Sequence, residues 1–113
     1  MSNNKLNQSN NPPKPSFIIH TTKQITSVLF SILNTNRLYV GNRDGEIQVY
    51  ELDTRRPIFK SNLNNQSITS IIEMFEANKL LVYCRNGSLF EIKIDVWVIQ
   101  CNVELYYYLM IYQ

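Results

Sequence analysis

The chain has 113 residues, of which 44% are hydrophobic and 18% are charged, and its formal net charge is +2. A charge this small argues against a strongly basic surface for nucleic acid or an anionic membrane, while the apolar content suffices for one modest core. The cysteines Cys84 and Cys101 and the single His20 match no metal-ligand spacing and form no catalytic dyad. They predict no zinc site and no cofactor.

A polar leader opens the chain. Residues 1–15 consist largely of Asn, Ser, Gln, Lys and Pro, a composition too polar to bury, and they predict a disordered segment. The leader lacks the apolar stretch of a secretory signal. We therefore expect an intracellular protein.

Short strands separated by turn residues follow the leader. Residues 16–19 and 25–30 are apolar runs of strand length, and residues 37–41 and 46–52 flank an Asp-Gly turn. Asp-Gly between two apolar runs is a strong hairpin signal, because Gly tolerates the positive φ that tight hairpins require. A short outer strand, entered through Pro57, and the strands of a second cycle complete the prediction: residues 58–60, 68–74, 79–84 and 88–94.

The second cycle repeats the first. Residues 38–52 return in altered form about 42 positions later as residues 80–94, and each copy is preceded by a matching Ile-Thr-Ser segment. A period of about 40–45 residues built from short strands is that of a β-propeller blade. We therefore predict an all-β fold of about two four-stranded antiparallel blades: residues 16–60 and, more divergent, residues 61–95.

Residues 96–113 form a divergent apolar tail. Its polar residues interrupt the apolar run and alternate with apolar ones, which is strand periodicity and argues against a membrane-spanning helix. We expect no membrane role. The tail either diverges from the repeat or supplies a last strand to the second blade through residues 97–103.

The first cycle resembles the WD40 family, whose blades are four-stranded antiparallel sheets arranged radially. The residues that carry this resemblance are His20, Ile25, Val28, Phe30, Gly41, Asp44, Gly45, Ile47, Val49, Tyr50, Glu51 and Leu52. Tyr50 and Glu51 replace the family's closing Trp-Asp pair, and no Gly precedes His20. The resemblance implies a structural, non-catalytic network of His20, Asp44 and Tyr50. In the second cycle Asn86 and Ile92 replace its members, so we expect apolar packing to hold that blade.

A narrower resemblance rests on the Pro-rich lead, the Phe-Ile-Ile of residues 17–19 and the Thr54-Arg55-Arg56-Pro57 segment. Together they resemble the N-terminal blades of the family of ASTRA-associated protein 1 and the guanine nucleotide-binding protein subunit beta-like protein. This similarity covers residues 12–94. It implies a non-enzymatic scaffold in a multi-subunit ASTRA-like assembly linked to the maturation of phosphatidylinositol-3-kinase-related kinases and to chromatin regulation, in the nucleus and/or cytoplasm.

The segment Thr54 to Pro57 is the candidate partner contact. On its residues alone, the Arg55-Arg56 pair is either a solvated loop or a contact for an acidic partner. Because a closed propeller needs at least four blades, a truncated, non-functional fragment and a generic WD40 adaptor of another complex remain alternatives. Such a fragment is expected to be poorly soluble or to assemble with another chain.

The sequence argues against two further classes of function, catalysis and nucleic-acid binding. The sequence contains no Gly-rich phosphate loop and no nucleophile elbow, and we expect its carboxylates to be solvated: Asp44, Glu46, Asp53, Glu73 and Glu76. We therefore predict no enzyme and no small-molecule substrate. Nucleic-acid binding is the weakest alternative, because the tyrosines at 106–108 have no interleaved basic residues.

Overall fold

The computed structural model describes residues 18–101 as two four-stranded antiparallel sheets. The first sheet contains β1 (Ile25–Phe30), β2 (Arg37–Asn42), β3 (Glu46–Glu51) and β4 (Arg56–Asn62), in that spatial order. The second contains β5 (Ile68–Met74), β6 (Lys79–Cys84), β7 (Leu89–Lys93) and β8 (Val98–Cys101), also in chain order. Within these residues there is no helix. The predicted all-β class with about two four-stranded blades is confirmed.

Strand alternation decides which side chains enter the core. Leu29, Tyr39, Val49 and Phe59 are cross-strand partners in the first sheet, so they form one row on the face that meets the second sheet. The second sheet contributes apolar side chains from alternate positions of β6 and β7 and, across an irregularity in strand pairing, from β5. The buried residues of this shared core are Tyr39, Ile47, Val49, Leu63, Ile68, Ile71, Leu80, Val82, Cys84, Phe90, Ile92 and Ile94.

Gly41 of β2 packs directly against Ile68 of β5. A Cβ atom added to Gly41 would lie 2.6 Å from Ile68 Cγ2, which is too close for any side chain. Beside this contact Thr26 Oγ1 donates a hydrogen bond to Ile68 O at 2.5 Å. The absence of a side chain at Gly41 therefore sets how tightly the sheets pack.

The hairpin turns have the same geometry in both sheets. Gly45 has a φ of 89° and Gly87 a φ of 90°, the left-handed region that favours glycine. Gly45 N donates to Asn42 O at 3.3 Å, and Gly87 N donates to Cys84 O at 3.0 Å. The hairpin predicted from Asp-Gly thus recurs one repeat later with Asn-Gly.

The prediction of a strand over residues 16–19 is wrong for the two residues that the structure describes. Ile18 and Ile19 lie outside every strand, whereas residues 16 and 17 fall outside the described residues. Ile19 is held by its side chain, which packs on a second cluster formed by Leu38, Val40 and Tyr50. The backbone of residues 18–20 joins no described sheet, so apolar character alone did not make a strand.

At the other end, part of the tail belongs to the second sheet. Strand β8 pairs with β7, and Ile99 lies opposite Ile92. The predicted leader, residues 1–15, and the remainder of the tail, residues 102–113, lie outside the described residues.

Candidate protein-interaction site

A chain of polar side chains follows β3 on the face turned away from the second sheet. Glu46, Gln48 and Tyr50 occupy alternate positions, which places them on one face of the strand. Tyr50 OH donates to Gln48 Oε1, and Gln48 Nε2 donates to Glu46 Oε1. Asn42 Nδ2 donates to the same Glu46 oxygen at 3.4 Å, and Lys60 Nζ lies 3.5 Å from Glu46 Oε2. Burial, and then the negative charge of Glu46, raise the pKa of Tyr50.

The structure does not bring His20, Asp44 and Tyr50 together. His20 is exposed ahead of β1, and Asp44 Oδ2 lies 3.6 Å from Lys23 Nζ. The Tyr50 hydroxyl donates its hydrogen bond to Gln48. Among residues 18–101 no hydrogen bond joins the three, because Asp44 lies in the turn before β3 while Tyr50 lies near the other end of that strand.

The Thr54–Pro57 segment is exposed, but only its first half is a turn. Thr54 and Arg55 lie in the β3–β4 turn, whereas Arg56 and Pro57 begin β4, opposite Glu51 and Tyr50. Arg55 has a φ of 61°, and its backbone N–H donates to Glu51 O at 2.8 Å. Thr54 Oγ1 donates to Glu51 Oε1 at 3.0 Å, and Asp53 N donates to Asn36 Oδ1 at 2.8 Å. All four residues of the segment are exposed. This turn and strand start, which we call the Thr54–Pro57 loop, therefore present an exposed surface at the end of the first sheet where β3 turns into β4.

Glu73 corrects an expectation, because its carboxylate joins the two sheets instead of being a solvated charge. Glu73 lies in β5, yet Ser31 Oγ donates to its Oε2 at 2.6 Å and Tyr39 OH donates to the same oxygen at 3.0 Å. Its Oε1 accepts from the backbone N–H of Ile32 at 2.8 Å and of Leu33 at 3.3 Å. Every donor belongs to the first sheet or its β1–β2 turn.

These contacts change how Glu73 titrates. Burial by itself raises the pKa of Glu73, but the hydrogen bonds from Ser31, Ile32 N, Tyr39 and Leu33 N outweigh burial and hold it below 4.5. Burial raises the pKa of Tyr39, so this phenol stays a donor to the carboxylate. A signal for the contact existed in the sequence: Glu73 follows Ile71 by two positions and therefore shares its core-facing side of β5.

Trp97 provides a second connection between the sheets. Its ring stacks on Phe59 of β4 with centroids 5.0 Å apart and planes 13° from parallel. The Arg37 guanidinium carbon lies 5.1 Å from the Trp97 ring centroid, within the range of a cation–π contact. The residue before the last strand thus anchors the second sheet to the outer edge of the first.

The two cysteines differ in environment. Cys84 is buried and free, and burial, with a smaller effect of Cys101, raises its pKa to about 11. Cys101 is free and exposed. Within residues 18–101 no group of three or more His, Cys, Asp or Glu side chains is placed to hold a metal ion. No helix in that range is long and apolar enough to cross a membrane.

Comparison with known sequences yields two partial relatives. The chain is 36% identical over 52 residues to ASTRA-associated protein 1 of Candida glabrata, and 31% identical over 58 residues to Polycomb group protein FIE1 of Oryza sativa subsp. japonica. These matches cover 46% and 48% of this chain but only 11% and 12% of the relatives. No family model matches the sequence.

Solved structures match a larger part of the chain. Saccharomyces cerevisiae Sqt1 is 25% identical with a TM-score of 0.57, covering 67% of this chain and 19% of that one. The Cps50 (Swd1) β-propeller domain of Myceliophteria thermophila is 16% identical with a TM-score of 0.56, covering 70% and 28%. Together with relatives that are WD-repeat proteins, these matches decide the family resemblance.

The chain is WD40-like. Chaetomium thermophilum Raptor has the same fold over 72% of the chain, with a TM-score of 0.60 at 21% identity, and the chain covers 8% of that protein. The two described sheets are thus adjacent WD40-like blades, and the Glu73 contacts and the Trp97 stack are bonds between blades.

Proposed function

We propose that the chain is a non-enzymatic scaffold whose WD40-like blades bind other proteins. The observation that carries this proposal is the pair of packed blades with the exposed Thr54–Pro57 loop. Within the segment, Arg55 N donates to Glu51 O and Arg56 pairs with Glu51 across the sheet, while Asn36 holds the preceding Asp53 N. Because these bonds order the backbone before binding, less conformational entropy is lost when a partner docks.

Within that function, we propose that the partner is a multi-subunit assembly of the ASTRA type, in the nucleus and/or cytoplasm. Two observations support this choice: the 36% identity to an ASTRA-associated protein and the exposure of the Thr-Arg-Arg-Pro segment. Arg56 and its neighbours would meet acidic side chains of that partner, because guanidinium groups bind carboxylates with paired hydrogen bonds. The similarity to a Polycomb group protein supports a second candidate, a scaffold in a complex of the Polycomb group.

Affinity capture of the tagged full chain from cell extract, followed by mass spectrometry, tests both. The test variant replaces Thr54, Arg55, Arg56 and Pro57 with Ala, and the control is Lys93→Ala, an exposed basic residue on β7. We expect the parent and the control to recover subunits that mature phosphatidylinositol-3-kinase-related kinases, and the loop variant to lose them.

Three other outcomes are informative. Recovery of Polycomb-type subunits favours the second candidate over the ASTRA-type assembly. Equal recovery by parent and loop variant overturns the contact at Thr54–Pro57. Recovery of chaperones alone overturns the scaffold function and supports an incomplete propeller. Thermal unfolding of each variant shows whether it is folded before binding is compared.

A further inference from the structure

We propose that Arg43 and Arg85 together bind an acidic segment of a partner protein, at the end of the blades opposite the Thr54–Pro57 loop. We call this pair the arginine rim. Both residues are exposed, and each lies in the hairpin turn between the second and third strands of its blade. The two positions correspond in the repeat, so the blades present the same charged group at the same corner.

The backbone holds both arginines in the same way. Arg43 N donates to Gln24 O at 2.9 Å, and Arg85 N donates to Ser67 O at 2.8 Å, each to the segment just before the first strand of its blade. Together with the matching glycine φ values of 89° and 90°, these bonds give the two turns one conformation. The arginines therefore project from fixed, equivalent positions.

A shared connector places the two turns side by side. Leu63 N donates to Gly45 O at 2.6 Å, and a Cβ on Gly45 would lie 2.6 Å from Gln66 N. The next residue, Ser67, accepts the hydrogen bond from Arg85 N. Neighbouring connector residues thus touch both turns. Sheets packed face to face lie about 10 Å apart, and we take this spacing as the separation that a ligand of the rim must match.

The charge of the rim is not compensated within the described residues. The ion pairs there are Lys23–Asp44, Lys60–Glu46 and Lys79–Glu91, and none involves the arginine rim. Asp44 is the one acid in these two turns, and Lys23 lies beside it. Residues 64–67, which run between the turns, are Asn, Asn, Gln and Ser and carry no charge.

This arrangement fits carboxylates on an extended protein segment. An extended segment in the polyproline II conformation has three residues per turn and rises about 3.1 Å per residue, so side chains three residues apart lie on the same side and about 9 Å apart. Each guanidinium can bind one carboxylate through paired hydrogen bonds. Residues 64–67 and the two turns contain no aromatic side chain on which bases could stack, which favours an acidic peptide over single-stranded nucleic acid.

Fluorescence anisotropy tests the proposal on the full chain, independently of any cellular partner. The probe is a fluorescein-labelled ten-residue peptide with Glu at every third position and Ser between, and its control has Gln in place of Glu. We expect Arg43→Gln and Arg85→Gln each to weaken binding about fivefold, as for an exposed ion pair of about 1 kcal/mol. The double variant should lose about 25-fold if the two contacts are independent.

Lys93→Gln is the matched control, because it removes one exposed positive charge at the end of β7 far from the Arg85 turn and outside the Thr54–Pro57 contact; its affinity should stay within about twofold of the parent. Equal binding of the Gln peptide, an undiminished double variant or an equal loss in Lys93→Gln overturns the proposal. Tighter binding of an oligouridine probe, lost in the double variant, overturns the acidic-peptide assignment in favour of phosphate. Failure here leaves the capture result at Thr54–Pro57 unaffected, so the two proposals fail separately.

Discussion

The first and second sheets differ in which face of the third strand is polar. In β3 the outward residues Gln48 and Tyr50 form a polar chain, while Val49 is fully buried against the second sheet. In β7 the corresponding residues reverse this pattern: Phe90 and Ile92 are core residues, and the counterpart of Val49 is Glu91, ion-paired with Lys79 on the outward face.

This reversal shows that packing, more than position in the repeat, determines polarity. Corresponding positions point to the same side of each blade, but within residues 18–101 that side meets a neighbouring blade only in the second sheet. A residue facing a packed neighbour must be apolar or fully hydrogen-bonded, because burying an unpaired polar group is costly. The polar face of β3 and the apolar face of β7 thus follow from what each one covers.

The largest difference between the two faces should appear when a large side chain is removed from the shared core. Leu80 has no exposed surface in that core, whereas its repeat counterpart Leu38 packs in the smaller cluster on the outward face. We expect Leu80→Ala to lower the free energy of unfolding by about 2–5 kcal/mol, and Leu38→Ala by at least about 1 kcal/mol less. Urea denaturation measures both, and an equal or larger loss in Leu38→Ala would contradict the inequality of the two faces.

The next largest effect should come from Glu73, the polar member of the shared interface. Glu73→Gln keeps the shape but turns one acceptor oxygen into a donor amide, which cannot accept from the first-sheet donors. We expect a loss of about 1–3 kcal/mol in the free energy of unfolding. Glu76→Gln removes the same charge from an exposed turn and serves as the control, with a change of less than about 0.5 kcal/mol. A similar loss of unfolding free energy in both variants would mean that the hydrogen bonds of Glu73 between the blades add no stability beyond the effect of removing one negative charge.

The difference in stability between the parent protein and Glu73→Gln should depend on pH. The pKa of Glu73 is lower in the folded chain than its usual 4.5, so the folded state favours the ionised carboxylate. Its stabilisation is fully present above pH 4.5 and is lost as pH falls through the lower, folded pKa. The difference in stability between the parent and Glu73→Gln should therefore shrink on acidification below pH 4.5, and a constant difference would contradict the role of the charge.

The repeat predicted most of the fold because strand period and turn chemistry are local properties. The Asp-Gly turn and the alternation of β3 depend on neighbouring residues, and both were found where predicted. The predicted strand over residues 16–19 depended on finding a partner, which no local pattern specifies; Ile18 and Ile19 joined no sheet.

The site was harder to predict, because its bonds cross between blades. The hydrogen bonds of Glu73 join residues about 40 positions apart, and the stack of Trp97 on Phe59 joins two sheet edges. Composition and spacing classified Glu73 as solvated because they show no distances between sheets. The exposed Thr54–Pro57 loop could be located from its turn residues, whereas any partner it binds is defined by a surface outside this chain.

The stack of Trp97 on Phe59 tests how the outer edges of the two sheets are held together. A double-mutant cycle of Trp97→Leu and Phe59→Leu isolates the aromatic contact from general packing. We expect a coupling energy of about 0.5–1.5 kcal/mol in urea unfolding, the usual range for an aromatic pair. Trp97 is the only tryptophan, so its fluorescence follows the same transition directly. A coupling near zero would show that the second sheet is held to the first by the core and Glu73 alone.

The smallest effect belongs to the polar chain on the outward face. Tyr50→Phe removes the hydroxyl that donates to Gln48, and Gln48 is only partly buried, so water can replace the lost donor. We expect a loss of about 0.5–1 kcal/mol in the free energy of unfolding. Tyr39→Phe is the internal comparison and should cost more, because its fully buried hydroxyl donates to the Glu73 carboxylate. If Tyr50→Phe were the costlier change, the outward face would be closed to water, and the polar chain of β3 would have to be explained as part of a buried interface.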